Sequence, residues 1–176
     1  MRVCGERYTE IEEEKMFTRS RKEEGKARRV LGDVEALATE AIDCGYHLHR
    51  RLGPDLFESV YETLLADAIS KRGLAVERQR LIDIEFDGLK IPGAFKVDLL
   101  VEGVLLIELK SVERATPVHL KQALTYLRLM GLPLGLVMNF GEARFGDGLK
   151  RVVNTLSGFS SSSRLRENPS SPTSED

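Results

Sequence analysis

The stretch Phe95 to Lys110, FKVDLLVEGVLLIELK, restricts what this chain can fold into more than any other. It reads as two short strands meeting at Glu102-Gly103. Successive strand side chains point to opposite faces. Phe95, Val97, Leu99 and Val101 therefore fall on one face of the first strand, and Leu105, Ile107 and Leu109 on one face of the second. The other face carries Leu100, Val104 and Leu106 near the turn, and Asp98, Glu108 and Lys110 toward the open end. Two carboxylates and a lysine inside an otherwise apolar hairpin are costly unless they are paired, hold a cation, or line a water-filled rim.

Carboxylate oxygens with retained waters suit Mg²⁺. A lysine two residues beyond Glu108, on its face, can reach a metal-bound water or a phosphate oxygen, which is the layout needed to cleave a phosphodiester. Register decides whether that layout forms. If only Glu102 and Gly103 are unpaired, Val101 pairs with Val104, Asp98 pairs with Ile107, and Glu108 points away from Asp98. An odd number of unpaired residues, or a bulge, brings Asp98 and Glu108 together. The site therefore requires an odd turn or a bulge. Without one, the charges form only an ion-paired strand end.

The flanks read in order. Asp33 can cap a helix over 34–51, with Leu37, Ala41, Tyr46 and Leu48 as an imperfect apolar stripe. Gly53-Pro54 breaks it. A second helix is predicted over 55–72, with Leu56, Val60, Leu64 and Ala68 along one face and Phe57, Tyr61 and Leu65 beside it. Glu58 sits in its first turn, where the helix dipole favours an anion. Val76 to Phe86 alternates as a strand that ends at the turn pair Asp87-Gly88. Thr116-Pro117 opens a helix to Met130, on which Gln122 and Tyr126 share a face. The run LGLVMN, Leu134 to Asn139, has the character of an interior strand, and Val152-Val153 adds an edge segment. The order predicts an α/β fold with a mixed central sheet flanked by helices.

At 176 residues the chain fits one domain with tails. Residues 1–32, with the runs Glu12-Glu13-Glu14 and Lys22-Glu23-Glu24, read as a charged disordered extension. The domain spans 33–154, and 155–176 is a disordered tail rich in serine and proline. Cys4 and Cys44 form no framework spacing, no apolar run spans a bilayer, and no signal-peptide core is present. These features predict a cytoplasmic protein with reduced thiols and no membrane partner. Cys44, His47, His49 and His119 lack a second ligand pair at zinc spacing, so they read as surface or packing residues. Between Asp33 and Asn154 there are 15 basic and 18 acidic residues, a formal −3. That excludes a polycationic duplex binder, although Arg78, Arg80, Arg114, Lys121 and Arg128 could share a face.

The order of Glu58, then Asp98, then Glu108-Leu109-Lys110, then Gln122 resembles the PD-(D/E)XK nuclease superfamily and its restriction-endonuclease-like fold. Within it, LGPDLFESVYETLL, FKVDLLVE, LLIELKSVERATPVHLKQALTYL and LGLVMNFG look like the GxxExxY family, over about Val34 to Asn154. Two positions depart from the pattern: Asp55 stands where that family has glycine, and Val97 where the superfamily name has proline. Gln122 to Tyr126 is also similar to the Q-x-x-x-Y motif of RecB-type nucleases.

The resemblance implies an α-β-β-β-α-β core preceded by an extra N-terminal helix. It implies a Mg²⁺- or Mn²⁺-dependent nuclease acting on nucleic acid, more readily DNA than RNA. Asp98, Glu108 and the Leu109 carbonyl would hold the cation, and Glu58 a second ion or an orienting water. Lys110 would position or deprotonate the attacking water. Gln122, Tyr126 and Tyr61 would contact nucleic acid or support the site. The rival from another class is a nuclease-fold module that binds nucleic acid, a protein partner or a second copy of itself without cutting.

Overall fold

The computed structural model describes residues 33–54 and 56–155. The predicted extension over 1–32, Asp55, and the predicted tail beyond residue 155 lie outside the described residues. Helix α1 covers 33–52. There follow α2 (Glu58–Ser70), β1 (Val76–Phe86), β2 (Leu89–Val101), β3 (Leu105–Lys110), α3 (Pro117–Met130), β4 (Leu134–Asn139), the single turn α4 (Phe145–Gly148) and β5 (Leu149–Val153). The five strands form one mixed sheet in the order β1-β2-β3-β4-β5, with only the β3–β4 pair parallel.

The sheet is covered on both faces, which is why β3 and β4 are almost wholly apolar. On one side Val34, Ala38, Ala41 and Cys44 of α1 and Tyr61, Leu65 and Ile69 of α2 pack on Leu99, Val101, Leu105, Ile107, Leu109, Leu136 and Met138. On the other, Ala123, Tyr126 and Leu127 of α3 pack on Val97, Leu100, Leu106 and Val137. The helical stripes are rotated from those expected. Tyr46 and Val60 are exposed, and Glu62 and Ala66 take buried positions beside Tyr61 and Leu65. Alpha2 carries apolar residues around most of its circumference, so helical period alone does not select the face; the sheet does.

The second strand begins at Leu89, six residues earlier than expected. Asp87 and Gly88 both take positive φ, 49° and 79°, and join Phe86 directly to Leu89 as a two-residue turn. The chain is thereby returned along β1 despite Pro92, as a ribbon that leaves Leu81, Phe86, Leu89 and Ile91 exposed.

The turn that decides the register has three residues. Val101 pairs with Leu105, leaving Glu102, Gly103 and Val104 unpaired. Glu102 and Gly103 lie in the left-handed region at φ 50° and 67°. Glu102 also exchanges hydrogen bonds with Ala75, its amide donating at 2.9 Å and its carboxylate accepting at 2.6 Å. The odd count therefore holds. Deleting Val104 should force a two-residue turn, move Leu105, Ile107 and Leu109 off the α1/α2 face, and abolish cooperative thermal unfolding by circular dichroism. Gly103→Asn, which tolerates the same backbone, should cost less than about 1 kcal/mol in a denaturant titration.

Candidate active site

Beta2 and β3 part company at Asp98. The ladder runs through Leu100–Leu106 and Leu99–Ile107, and at the next position the Asp98 carboxylate accepts the Leu109 amide proton at 2.8 Å. A side chain takes the place of backbone pairing, and the strands splay. Beta2 also changes face here, because Phe95 and Val97 join the α3 core whereas Leu99 and Val101 join the α1/α2 core. The single alternating face expected for Phe95 through Val101 is broken at the aspartate. Across the ladder, between the pairs Arg78–Leu99 and Arg80–Val97, Gln79 takes a left-handed φ of 51°. Such a conformation costs a non-glycine residue on the order of 1–2 kcal/mol.

Glu108 follows on β3 and is only 3% exposed. Its Oε1 accepts a 2.8 Å hydrogen bond from Lys110 Nζ, which also donates to the Leu109 carbonyl at 2.8 Å. Its Oε2 is buried without a hydrogen-bond partner among the described residues. Glu58 reaches the same region from the first turn of α2. Its Oε1 accepts the Ser111 amide proton at 3.1 Å, and Ser111 Oγ donates to the Leu56 carbonyl at 2.6 Å. The Ser111 loop is itself fixed by buried Asn139, which bonds the Val112 amide and carbonyl, and by Gly141, where an added Cβ would sit 2.4 Å from the Val112 oxygen.

These contacts set the protonation equilibria. Burial, then the Asp98 charge, pushes Glu108 up to about 7 against the pull of Lys110. Burial also raises Asp98, opposed by the Leu109 amide and Lys110 and reinforced by Glu62 and Glu58. Burial alone would lower Lys110, but the hydrogen bond and charge of Glu108, with Glu58 and Asp98, carry it above its ordinary value. The lysine is therefore an ammonium at neutral pH.

The remaining candidates lie apart. Gln122 Nε2 donates to Tyr126 Oη at 2.8 Å, and the Tyr126 ring packs on Phe95 at 5.2 Å between centroids. Neither makes a described hydrogen bond to the acids. Tyr61 is fully buried, stacks on Phe140 at 4.2 Å and donates to the Gly53 carbonyl at 2.6 Å, a position inside the protein and closed to a ligand.

The sequence places Glu62 one turn beyond Glu58 on its side of the helix but assigns it no role; it is 6% exposed and accepts from Arg78 Nε at 2.9 Å and from the Gln79 side-chain amide. Arg78 Nη2 also donates to Thr63 Oγ1 at 2.9 Å. Of the five basic residues that could share a face, Arg78 is tied to Glu62 of α2 and Arg80 is paired with Glu77. The available signals were the four-residue spacing from Glu58 to Glu62, and the polar run Glu77 to Arg80 that interrupts alternation in β1.

Among the described residues, no three His, Cys, Asp or Glu side chains converge as a ready-made cation site. The chemistry of the donor set nevertheless fits a hard divalent cation. Asp98 and Glu108 are adjacent oxygen donors, and the orphaned Glu108 Oε2 lacks the proton or cation that its burial calls for. The Leu109 carbonyl, expected as a third donor, accepts from Lys110 here.

A family model of the PD-(D/E)XK nuclease superfamily matches residues 35–152, which is most of the described chain. The chain belongs to the PD-(D/E)XK nuclease superfamily. No curated protein and no solved structure matches it. The mixed five-stranded sheet with flanking helices is consistent with the restriction-endonuclease-like fold of that superfamily. Among the described residues, no helix is long and apolar enough to cross a membrane.

Two measurements test the electrostatics of this superfamily member. A carboxyl group with a raised folded pKa contributes stability that is intact below the unfolded value and lost as pH rises through the folded one. Cation-free stability should therefore fall between about pH 4.5 and 7. Glu108→Gln should remove most of that dependence, gaining on the order of 3 kcal/mol at pH 8 and little at pH 4, as read by urea unfolding. Glu62→Ala removes the acceptor shared by exposed Arg78 and half-buried Gln79 and should cost about 1–2 kcal/mol in the same assay.

Proposed function

We propose that this protein is a nuclease that hydrolyses phosphodiester bonds, more readily in DNA than RNA, with Mg²⁺ or Mn²⁺ as its cofactor. The observation that carries the proposal is the buried Glu108 carboxylate, with one oxygen on the Lys110 ammonium and the other unpartnered beside Asp98. A protein gains no stability from leaving that oxygen bare, but a cation site requires it.

Asp98 and Glu108 would hold the cation, with the Leu109 carbonyl joining them once Lys110 turns from it toward a phosphate. A divalent cation so held would supply charge against the phosphoryl oxygens and lower the pKa of water. Water would add in line to phosphorus as the bond to the leaving oxygen breaks, its proton passing to Lys110 or bulk water and the leaving oxygen taking one up from water. Lys110 would orient the phosphate and offset the negative charge that grows on it, and would position or deprotonate the attacking water. Glu58 would hold a second ion or an orienting water at the α2 end, and Gln122 with Tyr126 would steady the strand-facing side. Tyr61 supports the site from inside. We further assign the chain to the GxxExxY family, with the nuclease domain over 33–154 and a cytoplasmic setting.

A module that binds nucleic acid, or a protein partner such as a second copy of the chain, without cutting is the second reading. The Lys110 bond to the Leu109 carbonyl favours it, since that bond blocks a donor the chemistry uses.

The test presents circular single-stranded, circular duplex and branched DNA, and RNA, in Mg²⁺ or Mn²⁺. At least one should be cut, and Lys110→Ala should lower the rate about 10²- to 10³-fold. In calorimetry, Asp98→Asn and Glu108→Gln should each abolish Mn²⁺ binding. Equal cutting by Lys110→Ala rejects the mechanism assigned to this site, and cutting of none rejects the enzyme.

A further inference from the structure

Phe57, immediately before Glu58, is 83% exposed, the most exposed large apolar side chain among the described residues. Its position is not that of a loose loop. The Phe57 carbonyl accepts from Val60 and Tyr61 at 2.9 and 3.3 Å. The neighbouring Leu56 amide donates to Tyr61 Oη at 3.4 Å, and the Leu56 carbonyl accepts from Ser111 Oγ at 2.6 Å. The backbone under the ring is thus tied to the buried core on one side and to the β3 end of the acidic site on the other. The ring borders an open cleft of about 560 Å³ lined by Leu56, Phe57, Glu58, Ser59 and Ser111. Its mixed lining, two apolar side chains with two hydroxyls and a carboxylate, suits a flat heterocycle with polar edges.

Charge points the same way. Nucleic-acid binders without a basic surplus cannot draw their affinity from phosphate contacts alone. Here the domain is net acidic, Arg78 and Arg80 are paired with glutamates, and the candidate site adds its own carboxylates. Stacking of a base on an aromatic ring is a source of affinity that needs no positive charge. Bases within a duplex have their faces covered, so only an unpaired base can use it.

We propose that Phe57 is a stacking platform for an unpaired nucleobase next to the phosphate being cut, so that the preferred substrate is a single strand, a flap or a frayed end. This rests on the nuclease reading for the site itself, but the binding it describes is measured separately.

The probe is a single-stranded DNA carrying 2-aminopurine, titrated in Mg²⁺ with the full chain bearing Lys110→Ala to suppress cutting. Binding should quench the fluorophore and depend only weakly on salt. Adding Phe57→Ala should weaken it about tenfold, and Phe57→Trp should preserve it. Binding of a duplex of the same sequence should be poor in all three, and the melting temperature of Phe57→Ala should match that of its parent. Unchanged single-strand affinity in Phe57→Ala, or an equal loss for duplex, overturns the platform. So does self-association of the chain that Phe57→Ala abolishes, which would make the ring a contact between copies. If the platform behaves as expected but the wild-type chain cuts nothing, the nuclease reading falls and the platform stands. If the chain cuts while Phe57→Ala binds like its parent, the reverse holds.

Discussion

Turn parity at residues 102–104 governs this molecule. Strand side chains repeat every two residues, so one residue more or less at the turn exchanges the whole of β3 between the two cores. With three unpaired residues, Leu105, Ile107 and Leu109 meet α1 and α2, and Leu106 meets α3. The same parity sets Glu108 beside Asp98 at the far end of the ladder. One local geometry, held by two positive-φ residues and the Ala75 contacts, thus fixes both the packing of the sheet and the convergence of its acids.

What converges there is held under electrostatic tension. A buried and a half-buried carboxylate repel, and burial disfavours both charges, so each is pushed toward its protonated form. One ammonium, Lys110, works against that and is itself carried upward. The cluster is therefore short of positive charge. It tolerates that deficit because the surrounding frame is rigid: Asn139 and Gly141 clamp the loop after β3, and the three-layer core leaves the strands no room to relax. Sites that must bind a cation commonly store such a deficit as lost stability.

The fold was largely legible because its strongest elements are written in local patterns. Alpha3 and β4 follow Thr116-Pro117, Gly131 and the unbroken run LGLVMN, and these begin and end where those residues direct. The acids and Lys110 were legible as a group because charge inside an apolar hairpin has few explanations. Other features were hidden for identifiable reasons. Alpha2 is apolar on several faces, so its buried stripe is chosen by the sheet. The face change of β2 at Asp98 coincides with the left-handed Gln79 across the ladder, and no residue of β2 announces it. The part played by Glu62 was hidden because its partners, Arg78 and Gln79, are distant in sequence. Pairing between elements is what single-element patterns do not record.

Helix α2 unites these threads. Tyr61 and Glu62 lie three and four residues beyond Glu58, so each neighbours it on the helix surface, one on either flank. Tyr61 enters the core and stacks on Phe140, which follows β4 directly. Glu58 reaches the end of β3 through Ser111, and Glu62 reaches β1 through Arg78 and Gln79. Tyr61, with Leu65 and Ile69, thus sets the height and rotation of the helix, and the two glutamates take their positions from that packing. A glutamate followed three residues later by a tyrosine is, in this light, a single mechanical unit. The aromatic residue supplies packing energy of a few kcal/mol, and the acid before it is delivered to the splayed strands with no loop of its own to order.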